Sequence, residues 1–415
     1  MMKKTVILAF LLFSVCSSLS AQQKRVVTAI VTNPMRVDRE DEPVVIKLKN
    51  KDRRFIARSA VVTYNDVEVP CQIDDLDGDG LPDELVFLSS VDKGASLEYT
   101  ITFSDTEPQK KYAARSYADI LLDDKRQRYP HLTAIEAPGK SDIFSDLYHH
   151  GVAFESDVTA YRIYFDRRQN IDIYGKRIKR LELADTHFYT TPQQLEEGYG
   201  NDVLWAGNAI GCGTLKLWDG ERPNDWDEVT TRGQRIVTKG PIRSIVEVTD
   251  FGFNGGMNAT TRYTLYAGHR EVLIETTLNQ PLPSAMFCTG VQKIGTDPYT
   301  LINPKEGICA SWGMDFPEQS SQQMMLTYPP ETVGLAVYVP KEYVMGFRET
   351  TLNCLFVIGK LKKPSFHYYA MFCARKEVGG FQSKDDWFSC LKDWKKNLEH
   401  PLKVKLTKMT TFPAG

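Results

Sequence analysis

The chain lacks a charge of one sign. Its 415 residues hold 51 Lys+Arg against 53 Asp+Glu, a net charge of −2, so it carries no electrostatic footprint of a nucleic-acid binder. It also lacks a long apolar run. The longest, Val6 to Val15, covers about ten residues where a membrane-spanning helix needs about 20. No CxxC, GxSxG or HExxH occurs, which removes the redox dithiol, the esterase elbow and the zincin helix as readings. Internal repeats and low-complexity tracts are missing too, and with them the solenoid and disordered classes. Cysteines number only eight. A chain of this length buries a full core without disulfide staples. One disulfide in an oxidising compartment stays open, but spacing selects no partners for it.

The N-terminus is patterned. Lys3 and Lys4 precede the apolar run, and small residues end it at Leu19-Ser20-Ala21, the layout of a secretory signal peptide over residues 1–21. Its removal deletes two lysines and takes the net charge from −2 to −4. The expected product is a periplasmic protein. A lipid anchor at Cys16 is the alternative, disfavoured because Val15 stands where a small residue is wanted.

Residues 24–105 read as short alternating runs broken by turns (Val44 to Leu48, Ala60 to Tyr64, Glu84 to Leu88, Leu97 to Ile101), the signature of a small β-sandwich. A polar linker is expected over residues 106–116. Residues 117–415 are again strand-rich. Arg262 to Tyr266 and Val272 to Thr276 flank Ala267-Gly268-His269-Arg270, a hairpin with a Gly-containing loop. Trp387, Leu391, Trp394 and Leu398 form one apolar stripe at helical spacing, stopped by Pro401. The fold class expected is mostly β: a small sandwich followed by a large one with few helices.

Asp75-Leu76-Asp77-Gly78-Asp79-Gly80-Leu81-Pro82-Asp83-Glu84 is the sharpest local motif. Carboxylates at alternate positions with glycines let one loop wrap oxygen ligands around calcium. Val86 stands where an EF-hand needs Glu, so Asp83 or Glu84 would close the shell around Asp75, Asp77 and Asp79. A structural Ca2+ is expected there, and no organic cofactor.

His149 and His150 stand side by side before Gly151, with Glu155 and Asp157 close behind. In the following run, strand alternation puts Ala160, Arg162 and Tyr164 on one face and Tyr161, Ile163 and Phe165 on the other. The second set reads as core. Arg162 with Tyr164 would offer a guanidinium for a carboxylate and a phenol as proton donor. A zinc site from His149, His150 and Glu155 is disfavoured because adjacent strand residues point apart. Trp205 and Trp218 are candidate sugar platforms. His187, His269 and His367 are weaker single candidates.

Tyr148-His149-His150-Gly151 with Phe154-Glu155-Ser156, the runs Ala160 to Asp166 and Asp172 to Lys176, the acidic loop, and Asp386-Trp387 leading to Pro401-Leu402 resemble an exported family known as domain-of-unknown-function family 4861. The resemblance covers nearly the whole mature chain. It implies a glycan-foraging Gram-negative setting, a galactose-mutarotase-like β-supersandwich, and dehydration of uronic-acid residues. The expected function is therefore β-elimination on an anionic, uronic-acid-containing oligosaccharide. Its parts would be Arg162 on the carboxylate with Glu155, Trp205 and Trp218 around the sugar, His149 or His150 as base, and Tyr164 or Tyr161 as acid. A hydrolase or epimerase using Glu155 or Asp157, and a non-catalytic glycan binder, are the alternatives.

Overall fold

The computed structural model describes residues 23–48, 55–108, 110–123, 128–186, 190–282, 284–407 and 410–412. The signal-peptide segment and His187 lie outside them. The described chain is mostly β, with three α-helices, Pro192–Glu196, Gln322–Thr327 and Lys384–Glu399.

The first sandwich packs two sheets. One carries Lys24–Thr32 and Ser96–Ser104 at its centre, the other is Arg39–Lys47, Glu84–Val91 and Cys71–Asp74. In Ser96–Ser104, Tyr99, Ile101 and Phe103 are buried while Glu98 and Thr100 are exposed, so a period of two buries one face. Val27, Val44, Leu85 and Phe87 share that core. The chain also returns to it. Lys403–Leu406 and Thr410–Phe412 pair with Lys24–Thr32, Ala29 opposite Leu406, so the second domain does not keep these two strands to itself. Those strands cover an edge that would otherwise stand open.

The second sandwich sets a nine-stranded sheet against a six-stranded and a five-stranded one. Val246, Tyr263, Ile274 and Phe372 from the first meet Phe154, Tyr161 and Ile173 from the second and Phe287 and Phe356 from the third. The expected hairpin is there: Met257–Tyr266 pairs with Val272–Leu278, Leu265 opposite Val272. Val333 to Tyr338 is buried on both faces because helix Lys384–Glu399 covers the outside of the nine-stranded sheet. Trp387, Leu391 and Trp394 pack there on Ala310, Trp312 and Ala336. Ser383 caps that helix by accepting from the Asp386 amide at 3.1 Å, with Asp385 and Asp386 at its positive end.

The two sandwiches are joined by charge. Arg243 is buried and reaches Asp74 and Glu84, each at 2.8 Å, while Gln72 accepts from the amides of Ile242 and Arg243.

Candidate functional site

The six-stranded sheet turns one face to the core and the other outward. Antiparallel pairing sets Asp119, Ala153, Arg162 and Asp172 in one transverse row. Tyr117, Glu155, Ala160, Tyr174 and Asp202 form the next, and Tyr164 lies opposite Gly151. Paired residues share a face, so Arg162 and Tyr164 project together on the outward side.

Arg162 is fully buried there. Its Nη2 donates to Asp172 at 2.5 Å and to Asp202. Two carboxylates thus hold the guanidinium, and its expected role as the clamp for a substrate carboxylate is corrected to that of a structural cation. His149 is also wholly buried. The Leu183 backbone is the hydrogen-bonding group beside the ring, and it opposes the effect of burial. Burial, reinforced by the Arg162 charge, pushes its pKa down to about 3, so the imidazole is neutral at every physiological pH.

Glu155 is equally buried. It pairs with Lys176 and accepts from the amides of Glu182 at 2.8 Å and Leu183 at 2.9 Å. Burial raises its pKa, and Lys176 opposes that rise. Its oxygens pin the covering segment to the sheet, so the expected sugar contact is corrected: the carboxylate is already spent. The same commitment removes it from a zinc shell.

His150 differs from its neighbour. Its backbone is left-handed, φ +56°, an uncommon and strained state for a non-glycine residue. Its half-buried ring stands edge-on to Phe144 at 5.1 Å and to Tyr164 at 5.3 Å. Tyr164 is half-buried, between solvent and sheet. Tyr161 sits on the opposite, core face, stacks on Phe154 at 5.7 Å and donates to the Arg270 carbonyl. That location corrects Tyr161 as a candidate acid. Trp218 is buried among Ile210, Cys288 and Leu355 and offers no platform, whereas Trp205 is 37% exposed in the loop after Asn201–Asp202.

Sequence reasoning missed part of this face. Asp119 receives Tyr117 Oη and contacts exposed His131 Nδ1 at 2.8 Å. The alternation Tyr117-x-Asp119 could have placed both on one face; the pairing of Leu121 with His131 has no local signal. Arg168, in the turn after Tyr164, donates to Asp166 at 2.8 Å. Burial works against its charge, but Asp166 outweighs that and raises its pKa, with Tyr164 contributing.

In the acidic loop, Asp75, Asp77 and Asp83 each offer a carboxylate oxygen within 4.8 Å of the others; Asp79 is not among them. Gly78 and Gly80 take φ of +83° and +82°, and their amides donate to Asp75 at 2.7 Å. The loop carbonyl of Leu76 accepts from Arg262 of the second sandwich. His269 also spans the sandwiches, Nδ1 to Glu271 at 2.7 Å and Nε2 to the Asp41 carbonyl at 2.9 Å.

Fold and site define a two-sandwich β-protein with a polar, partly covered sheet face. The chain belongs to the family described as Domain of unknown function (DUF4861), whose model matches residues 31–404. No curated protein matches it. Among solved structures it is similar to a protein in glycosyl hydrolase family 38 from Enterococcus faecalis, at 9% identity and a TM-score of 0.45, covering 92% of this chain and 47% of that one. An alpha-mannosidase from Enterococcus faecalis V583 gives 8% identity and a TM-score of 0.47, with 92% and 46% covered. The chain thus spans about half the length of these proteins.

Proposed function

We propose that the protein is an exported carbohydrate-active enzyme that acts on uronic-acid-containing oligosaccharides by β-elimination. The observation that carries this reading is the His150–Tyr164 pair, an imidazole and a phenol edge to face on the outward side of one sheet. Elimination needs a base for the C5 proton and an acid for the oxygen leaving C4. His150 takes the C5 proton, the electron pair forms the C4=C5 bond, the C4–O bond breaks, and Tyr164 protonates the departing oxygen. Groups on one face suit proton removal and oxygen departure on the same side of the sugar ring. Arg162 contributes through structure, tying Asp172 and Asp202 beneath the site, its charge offset by theirs. The leaving group is water in a dehydratase or a sugar in a lyase.

The same reading takes residues 1–21 as removed on export and the periplasm as the place of action. It takes the acidic loop as a calcium site held by Asp75, Asp77 and Asp83, whose oxygen donors suit a hard cation. That ion would be structural, because the loop lies against Arg262 rather than beside His150.

The test is ultraviolet absorbance with a panel of uronic-acid oligosaccharides, reading the conjugated unsaturated uronate, with mass spectrometry separating loss of water from chain cleavage. No absorbance change and no mass change across the panel would sink the proposal.

A further inference from the structure

Three of the described cysteines, Cys212, Cys309 and Cys354, are fully buried in the core of the second sandwich. Cys309 lies in Ile308–Asp315 of the nine-stranded sheet and Cys354 in Asn353–Gly359 of the five-stranded one. Alternation turns both inward. Ile308 and Ala310 pack on the other face with the helix, and Leu355 packs on the other face with Trp218. Cys309 Sγ donates to the Cys354 carbonyl at 3.3 Å. The two thiols are also within hydrogen-bonding reach of one another. That contact holds the Cys354 pKa below its usual value, while burial pushes that of Cys309 well up. The Cα atoms of the two strands come within 8 Å, closer than the roughly 10 Å between stacked sheets. The pinch brings them toward the roughly 4.4–6.8 Å that a disulfide spans.

The other thiols do not compete. Cys212 and Cys354 both pair with Val291, from opposite sides of its strand. Two strand spacings amount to about 9.5 Å, beyond the roughly 7 Å limit for bridging without backbone movement. Cys212 donates to the Met371 carbonyl at 3.5 Å instead. Cys71 belongs to the first sandwich, Cys288 packs beside Trp218, and Cys373 and Cys390 pack with the helix.

We propose that Cys309 and Cys354 are joined as a cystine in the exported protein, a covalent tie between the nine-stranded and five-stranded sheets. The pairing rests on the export reading above, because disulfides persist in the periplasm and are rare in the cytosol. The co-reactant is a disulfide donor, either a dithiol–disulfide oxidoreductase or oxidised glutathione. One cysteine thiolate attacks the donor's disulfide, and the second displaces the donor from the mixed disulfide. The donor departs reduced, having taken two electrons and two protons. Both thiols are sealed once the sheets close, so the exchange precedes closure. The bond ties residues 45 apart in sequence, which restricts the unfolded chain.

Thiol counting in denaturant, with non-reducing peptide mapping, tests the pair on the full chain exported with its leader. The expected result is five thiols before reduction and seven after it, with the Cys309 and Cys354 peptides linked. Reductant should move the wild-type urea midpoint to lower urea and leave that of Cys354→Ala in place. Seven thiols in the exported protein, or a cystine between any other two, would overturn the pair. The two readings fail separately. An exported chain with seven thiols removes the cystine and leaves export standing. A chain held in the cytosol with residues 1–21 attached removes the periplasm, and refolding in a glutathione redox buffer then decides the pair by the same map.

Discussion

His150 and Tyr164 stand edge to face, ring centroids 5.3 Å apart and planes at 86°, because Gly151 pairs with Tyr164 across the ladder and hands His150 to the same end of the sheet. Gly151 allows that close approach. A Cβ there would lie 1.9 Å from the Ile163 carbonyl oxygen. Gly151→Ala should therefore lower the unfolding midpoint and displace the His150 ring, cutting turnover more than substrate affinity. Thermal melts and steady-state kinetics on one preparation check this, and an unchanged melt would contradict it.

Arg162 is the buried cation on which Asp172 and Asp202 converge. Arg162→Met should cost about 3–5 kcal/mol, because breaking a buried pair from one side leaves charges uncompensated. Adding Asp202→Asn should recover part of that loss, since neighbouring sites couple. Urea unfolding of both variants measures it. A single variant within about 0.5 kcal/mol of wild type would place the guanidinium in solvent instead.

The acidic loop should make the first sandwich calcium-sensitive. Saturating Ca2+ at about a hundred times its dissociation constant should add about 2.7 kcal/mol. A chelator should reverse the gain, and Asp77→Asn should blunt it. Melts that are identical with calcium and with chelator would remove the ion from the account.

His269 gives the junction a pH dependence. Burial works against its charge, but Glu271 outweighs it and lifts the pKa from 6.5 to about 9. A group raised on folding stabilises fully below its unfolded value and loses that contribution as the pH climbs through the folded one. Stability should fall between about pH 6.5 and 9, and His269→Gln should flatten that limb. A limb as steep in the variant as in wild type would assign it to another group.

Much of this architecture was legible in the sequence. The stripe Trp387, Leu391, Trp394 and Leu398 is a helix because its spacing lets one face cover Ala310 and Ala336. The alternation of Arg162 and Tyr164 against Tyr161 and Ile163 is local, so the strand keeps it. The partners of Arg162 were not legible. Asp172 and Asp202 reach it only through strand pairings set by the whole sheet. Glu155 reads as a free carboxylate until Lys176 and the amides of Glu182 and Leu183 fold over it. Trp205 and Trp218 look alike in sequence, and only packing separates the exposed ring from the buried one.

The central claim is tested most directly by the initial rate of unsaturated-uronate formation in wild type, His150→Ala and Tyr164→Phe. Positioned acid–base groups contribute roughly 10²–10⁴-fold each. The account predicts losses of that order in both variants with unfolding midpoints unchanged. A wild-type rate in either variant, or no unsaturated product from wild type with any uronic-acid oligosaccharide, would contradict it.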